Sequence, residues 1–131
     1  MDATDLRILS MLKADGRVPF VKIAKKMNLT EGAVRARVLK LKKDGTIKRF
    51  TVDTRGDVKA VVMVATSRAV STTAVADSIR ALGIDKTYEI SGSFDITCFI
   101  ESGDMEDVNS TVEKIRAIDG VTDTSTSLVL K

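Results

Sequence analysis

The chain has no histidine and no tryptophan, a single cysteine and a single proline. One thiol, Cys98, excludes an intramolecular disulfide. Without histidine, a Cys/His zinc site, a Ser-His-Asp triad and a Cys-His dyad are excluded as well. So little cysteine makes a reducing, cytoplasmic compartment the expectation. Long apolar runs are missing too. The longest, Ala60 to Ala65, is far short of a bilayer span, and the acidic opening Met1-Asp2-Ala3-Thr4-Asp5 has no hydrophobic run behind it, which argues against a signal peptide. There is no Gly-rich phosphate loop and no paired carboxylate-plus-base motif. The expectation is a protein that is not an enzyme and holds no metal or cofactor.

What is present is a folded-protein composition, 44% hydrophobic and 30% charged over 131 residues. That length suits one ordinary domain or two small ones. The net charge is only +3, yet it is unevenly placed. Residues 1–56 carry 14 Lys and Arg against 6 Asp and Glu, a surplus of eight positive charges. Residues 57–131 carry 7 against 12, a deficit of five. A basic module for a polyanion joined to an acidic module with a different role is the simplest reading.

The basic half reads as three helices and a short strand. The first helix spans about Ala3 to Ala14, with Asp2 as N-cap and Asp5 completing a capping box; Leu6, Ile8, Leu9 and Leu12 recur at helical spacing, and Gly16 ends it. Pro19 opens the second, whose buried stripe is Phe20, Ile23, Ala24 and Met27. Asn28 tolerates the left-handed turn that follows, and Thr30 caps a third helix carrying Val34, Val38 and Leu41 inward as far as Asp44-Gly45. Ile47 to Val52 is expected to be a strand. Two helices crossing steeply over a short turn need a small residue where their backbones approach. Ala24 supplies it, and Leu29 plugs the turn, so the middle of this half is a helix-turn-helix.

The surface of the third helix is then Glu31, Gly32, Ala33, Arg35, Ala36 and Lys40, small enough at its start for close approach to base edges. Arg35 can reach a guanine edge or a phosphate. Thr30 lies at the same end. Arg37, with Lys42 and Lys43 behind it, is expected to meet phosphate, and Arg17, Lys22, Lys25 and Lys26 to hold the flanking DNA backbone.

The acidic half follows the order strand, helix, strand, strand, helix, strand. Val58 to Ser67 is a buried strand; Val75, Ile79 and Leu82 mark a helix ended by Gly83; Lys86 to Ser91 and Asp95 to Glu101 are strands around a Ser91-Gly92-Ser93 turn. Asp104 caps a helix with Met105, Val108, Val112 and Ile115 inward, and Val121 to Leu130 closes the set. This is the split βαβ, ferredoxin-like arrangement. Apolar residues on both faces of the first and third strands imply that the open sheet face is buried as well, hence a homodimer formed through the sheet.

Taken together, Asp2-Ala3-Thr4-Asp5 with Ile8-Leu9, Asp15-Gly16-Arg17, Ile23-Ala24, Leu29-Thr30, Ala33-Val34, Arg37-Val38, Leu41 and Gly45-Thr46-Ile47 resemble the Lrp/AsnC (feast/famine) family of prokaryotic transcription regulators. Gly92-Ser93-Phe94-Asp95 and Gly120-Val121 with the Thr-rich last strand extend the resemblance over nearly the whole chain. It implies an α+β protein: an N-terminal winged-type helix-turn-helix of three helices (1–49), a short strand-bearing linker (50–57) and a C-terminal ferredoxin-like βαββαβ effector-binding and oligomerisation domain (58–131). It also implies homodimers, higher even-numbered oligomers, and an amino-acid effector bound between effector domains. By resemblance the effector pocket takes Ser91, Gly92, Ser93, Phe94 and Asp95, met by Thr122, Asp123, Thr124 and Thr126 of a neighbour's last strand. Backbone N–H groups near Gly92 would receive a carboxylate, Asp95 an ammonium, and the threonines a polar side chain.

The function expected is therefore a sequence-specific regulator that binds double-stranded DNA, its assembly or affinity modulated by that effector. A dimer would place two third helices in successive major grooves about 34 Å apart. The alternative is a nucleoid-associated architectural protein of the same fold with no small-molecule effector. An RNA reader is disfavoured: aromatics for base stacking are few, with 4 Phe and 1 Tyr, and the basic charge lies away from the sheet.

Overall fold

A computed structural model of the chain describes residues 1–55 and 57–130. Gly56, inside the expected linker, and Lys131, at the end of the expected effector domain, lie outside the described residues. The chain divides into two compact units, Met1–Asp53 and Thr54–Lys131.

The first unit is built from helices α1 (Ala3–Ala14), α2 (Phe20–Met27) and α3 (Glu31–Lys43). Each begins and ends for a local reason. Asp2 and Asp5 form a reciprocal capping box at α1. Asn28 takes the left-handed conformation (φ 55°) that closes α2, with the Leu29 N–H donating to the Ala24 carbonyl. The Thr30 hydroxyl accepts from the Ala33 N–H at 3.1 Å and starts α3. Ile8, Leu12, Val18, Ile23, Ala24, Val34 and Val38 make the core, with Phe20, Met27, Leu29 and Ile47 packed around it.

Leu6, at helical spacing in α1, is 54% exposed, because the buried line of α1 runs through Asp5, Ile8 and Leu12. The strand expected over Ile47 to Val52 is not formed within the single chain: those residues are in neither helix nor strand. A strand needs a partner to complete its ladder. Ile47 instead donates its N–H to the Leu41 carbonyl and packs on the helical core.

The second unit comprises β1 (Val58–Thr66), α4 (Thr72–Ala81), β2 (Thr87–Glu89), β3 (Ile96–Ser102), α5 (Met105–Arg116) and β4 (Val121–Leu128). Ser71 and Asp104 cap the two helices through their side chains. The strands form one antiparallel sheet in the order β2-β3-β1-β4, the ferredoxin-like topology. Ala60, Val62 and Val64 alternate inward on β1, as do Ile96, Cys98 and Ile100 on β3, and pack with Val75, Ala76, Ile79, Val108 and Ile115 of the helices. Cys98 is buried there, and burial pushes its thiol up to about 11, so it is an inert core residue. Leu82 and Met105, at helical spacing with the buried residues of their helices, are exposed, since they sit at the C-cap of α4 and the first position of α5. β2 is shorter than its expected range from Lys86 to Ser91.

Among the described residues, neither α4 nor α5 packs on the other sheet face. Register places Val61 and Met63 of β1 beside Phe99 and Thr97 of β3, with Ser127 and Ser125 of β4 on the far side. Tyr88 pairs with Thr97, and its ring meets Phe99 edge-on at 6.3 Å between centroids. Tyr88 is 52% and Phe99 42% exposed.

Candidate functional site

On the helical unit, Lys22, Lys25 and Lys26 of α2 are exposed, and so are Glu31, Gly32, Arg35, Ala36 and Lys40 of α3, with Arg17 exposed in the preceding loop. Ala33 is half-buried. Thr30 is exposed, but its hydroxyl is engaged as the helix cap. Apart from Glu31, this surface is neutral or basic, and its small residues cluster in the first turn and a half of α3.

Two of the arginines have defined local partners. Arg35 pairs with Glu31 one turn back, at 2.5 Å, and its guanidinium lies over the Phe20 ring, 5.4 Å from the centroid. Both members of the ion pair stay about half exposed. Phe20, assigned to the core by its spacing, is half-buried and also supports Arg35. Nothing in the spacing marks that second role, because the contact joins α2 to α3 across the turn.

Arg37, expected to meet phosphate, has carboxylate partners within its own unit. Its Nη1 donates to Asp2 Oδ2 at 2.8 Å and to Asp5 Oδ1 at 2.9 Å. The remaining carboxylate oxygens close the capping box: Asp5 N–H to Asp2 Oδ1 at 2.8 Å, and Asp2 N–H to Asp5 Oδ2 at 3.1 Å. All four oxygens are thus engaged, and Arg37 ties the start of α1 to the middle of α3. The hydrogen bond from Arg37 holds the Asp2 carboxyl down at about 2, against an ordinary 3.8. A shallow, open groove between these helices is lined by Met1, Asp2, Asp5, Ala33, Ala36, Arg37 and Lys40.

On the sheet unit, the expected effector residues gather at one end of the sheet but not on one surface. Ser91, Gly92 and Ser93 are exposed in the turn before β3; Phe94 and Asp95 are half-buried. Gly92 has φ 131°, a conformation that suits glycine. Asp95 already serves the fold, since its Oδ2 accepts from the Thr66 N–H at 2.8 Å, where the β1–β4 register shifts. At that shift Thr122 is the extra residue, between Val121 opposite Thr66 and Asp123 opposite Ala65. Thr124 and Thr126 lie opposite Val64 and Val62, so they share the helix-covered face, whereas Asp123 shares the open one. β1 separates the 91–95 turn from β4 of the same chain.

Among the described residues, no helix is long and apolar enough to cross a membrane. Comparison with known proteins gives the same two-part division. Residues 1–42 match the AsnC-type helix-turn-helix domain, and residues 59–131 the Lrp/AsnC ligand binding domain. The transcriptional regulator LysM of Sulfurisphaera tokodaii is 36% identical over 100% of this chain and 96% of its own length. In structure the chain is similar to AsnC of E. coli, at TM-score 0.71 and 22% identity, covering 100% of this chain and 93% of that one. It is also similar to a Neisseria meningitidis transcriptional regulator solved with L-methionine, at TM-score 0.75 and 22% identity, covering 100% and 90%. Relatives of this kind are named as regulators of transcription, not as enzymes. With a helix-turn-helix head, a ferredoxin-like second unit and both family domains matched in order, the chain belongs to the Lrp/AsnC family of transcription regulators.

Proposed function

We propose that this regulator acts in the cytoplasm as a homodimer or a higher even-numbered oligomer, binding duplex DNA through α3 and the lysines of α2 and responding to an amino acid held between sheet units. The observation that carries the reading is the open sheet face. Phe99 is exposed and Met63 and Val61 are half-buried there, so covering them gains part of the about 1.5–3 kcal/mol that full burial of such a side chain gives, and a second copy can supply that cover. Lys22, Lys25, Lys26 and Lys40 supply salt-dependent attraction to phosphate, and Gly32, Ala33 and Ala36 allow close approach to bases.

The effector reading draws support from the Neisseria regulator solved with L-methionine. It draws more from the separation of the 91–95 turn from β4 within one chain, which suits a pocket completed by one face of a neighbour's β4. Asp95, anchored through one oxygen, still offers lone pairs to an ammonium group. The test is a thermal-shift screen against the proteinogenic amino acids, one at a time. A ligand at about 100 times its Kd adds about 2.7 kcal/mol to stability. One or a few amino acids should raise the Tm, and Asp95→Asn, which keeps an acceptor for Thr66, should lose that rise. A flat screen removes the effector from this reading, and a full response in Asp95→Asn removes Asp95 from its pocket.

A further inference from the structure

Glu31 is an acid on the face of α3 whose other charged side chains are cations. An exposed carboxylate there repels phosphate, so its presence works against plain electrostatic binding. It does not stand alone. Arg35 is its ion-pair partner, and the Phe20 ring lies against the guanidinium, so the two charges are held together on one patch about half open to solvent. A guanidinium paired in this way adds little to attraction for an arbitrary phosphate, because engaging the phosphate brings the carboxylate with it.

A guanine·cytosine pair reverses that balance. In the major groove guanine presents two acceptors, N7 and O6, to a guanidinium, while cytosine N4–H donates to a carboxylate. Arg35 retains further N–H donors beside the one given to Glu31, so both groups can be satisfied at once. Gly32, Ala33 and Ala36 leave room beside them for the base edges.

We propose that Glu31 and Arg35 form one reading unit for a guanine·cytosine pair, in which Glu31 withholds Arg35 from phosphate and so raises sequence discrimination at the expense of general affinity. The proposal rests on the DNA-binding reading above and adds to it the base pair read and the residue that sets the discrimination.

The test compares wild type with Glu31→Gln, an exposed, near-isosteric change, on two probes: a duplex of random sequence, and the duplex that wild type enriches most strongly from a random pool. Glu31→Gln should bind the random duplex about threefold more tightly, as befits release of one exposed ion pair. Its preference for the enriched over the random duplex should fall about tenfold. Its own enriched sequences should lose one guanine·cytosine position. In an Arg35→Ala background the same change should no longer alter that preference. An unchanged preference, equal tightening on both duplexes, or weaker binding to random DNA overturns the pairing while leaving DNA binding intact. Failure of wild type to bind either duplex overturns the DNA-binding reading itself, and the proposal with it.

Discussion

In the helical unit the polar groups that would cost most if left alone are matched within the chain. Asp5, buried beside Ile8 and Leu12, has a backbone N–H and the Arg37 guanidinium on its carboxylate. In the sheet unit the helix-covered face is closed as completely, but the opposite face leaves Tyr88 and Phe99 in water. The helical unit leaves its exposed apolar side chains, such as Leu6 and Leu39, on separate helices, whereas the sheet unit gathers Tyr88, Phe99, Val61 and Met63 on one sheet face. That contrast separates a site that a single chain can build from one that the proposed dimer would complete.

The sharpest way to probe it is through two adjacent residues of β3 that face opposite ways. Ile100, 5% exposed, points into the core; Phe99 points to the open face. Ile100→Asp should destabilise the sheet unit by on the order of 4 kcal/mol, read by urea unfolding. Phe99→Asp should keep the native circular dichroism spectrum and sediment as a monomer. Equal destabilisation by both, or wild-type assembly in Phe99→Asp, would erase the distinction between the faces.

A smaller effect is expected at the clasp in the helical unit. Arg37→Gln leaves Asp5 without its cation and should lower the Tm by about 5 °C in a scan at neutral pH. The slope of DNA affinity against salt should not change, since Arg37 is engaged with Asp2 and Asp5 rather than with phosphate. The same clasp has a pH signature. The Asp2 carboxyl is depressed in the folded chain, to about 2 from 3.8. Its contribution is therefore complete above the unfolded value and is lost as pH falls from about 4 towards 2. In Arg37→Gln that part of the acid-induced decline should be diminished. A variant with wild-type Tm and acid profile would contradict the clasp, and a shallower salt slope would return Arg37 to the DNA contacts.

Much of this architecture is readable from local patterns. Asp2 with Asp5, Asn28, Thr30 and Asp104 announce helix ends because capping and left-handed turns are decided within a few residues. The alternation Ile96, Cys98, Ile100 fixes a strand face by period alone. What escaped depends on distant partners. Arg37 reads as one more cation in a basic helix, since the acids that claim it lie 32 and 35 positions away. Ile47 to Val52 has β-branched residues suited to a strand, but composition cannot supply a ladder partner. The Thr-rich last strand looks like one polar lining, yet the register shift at Ala65/Thr66 and the pleat send Asp123 to one face and Thr124 and Thr126 to the other. Leu6 and Phe20 show a similar limit: helical spacing marks a stripe, but the neighbouring element decides which side of it is buried and what else it touches.

The central claim is that exposed lysines of the helical unit meet DNA phosphates, and salt titration of binding to duplex DNA tests it most directly. The logarithm of affinity should fall linearly with the logarithm of salt concentration, and Lys25→Ala should make that slope shallower by about 0.9 for each head engaged. Binding that is absent, indifferent to salt, or unchanged in slope by Lys25→Ala would contradict the account.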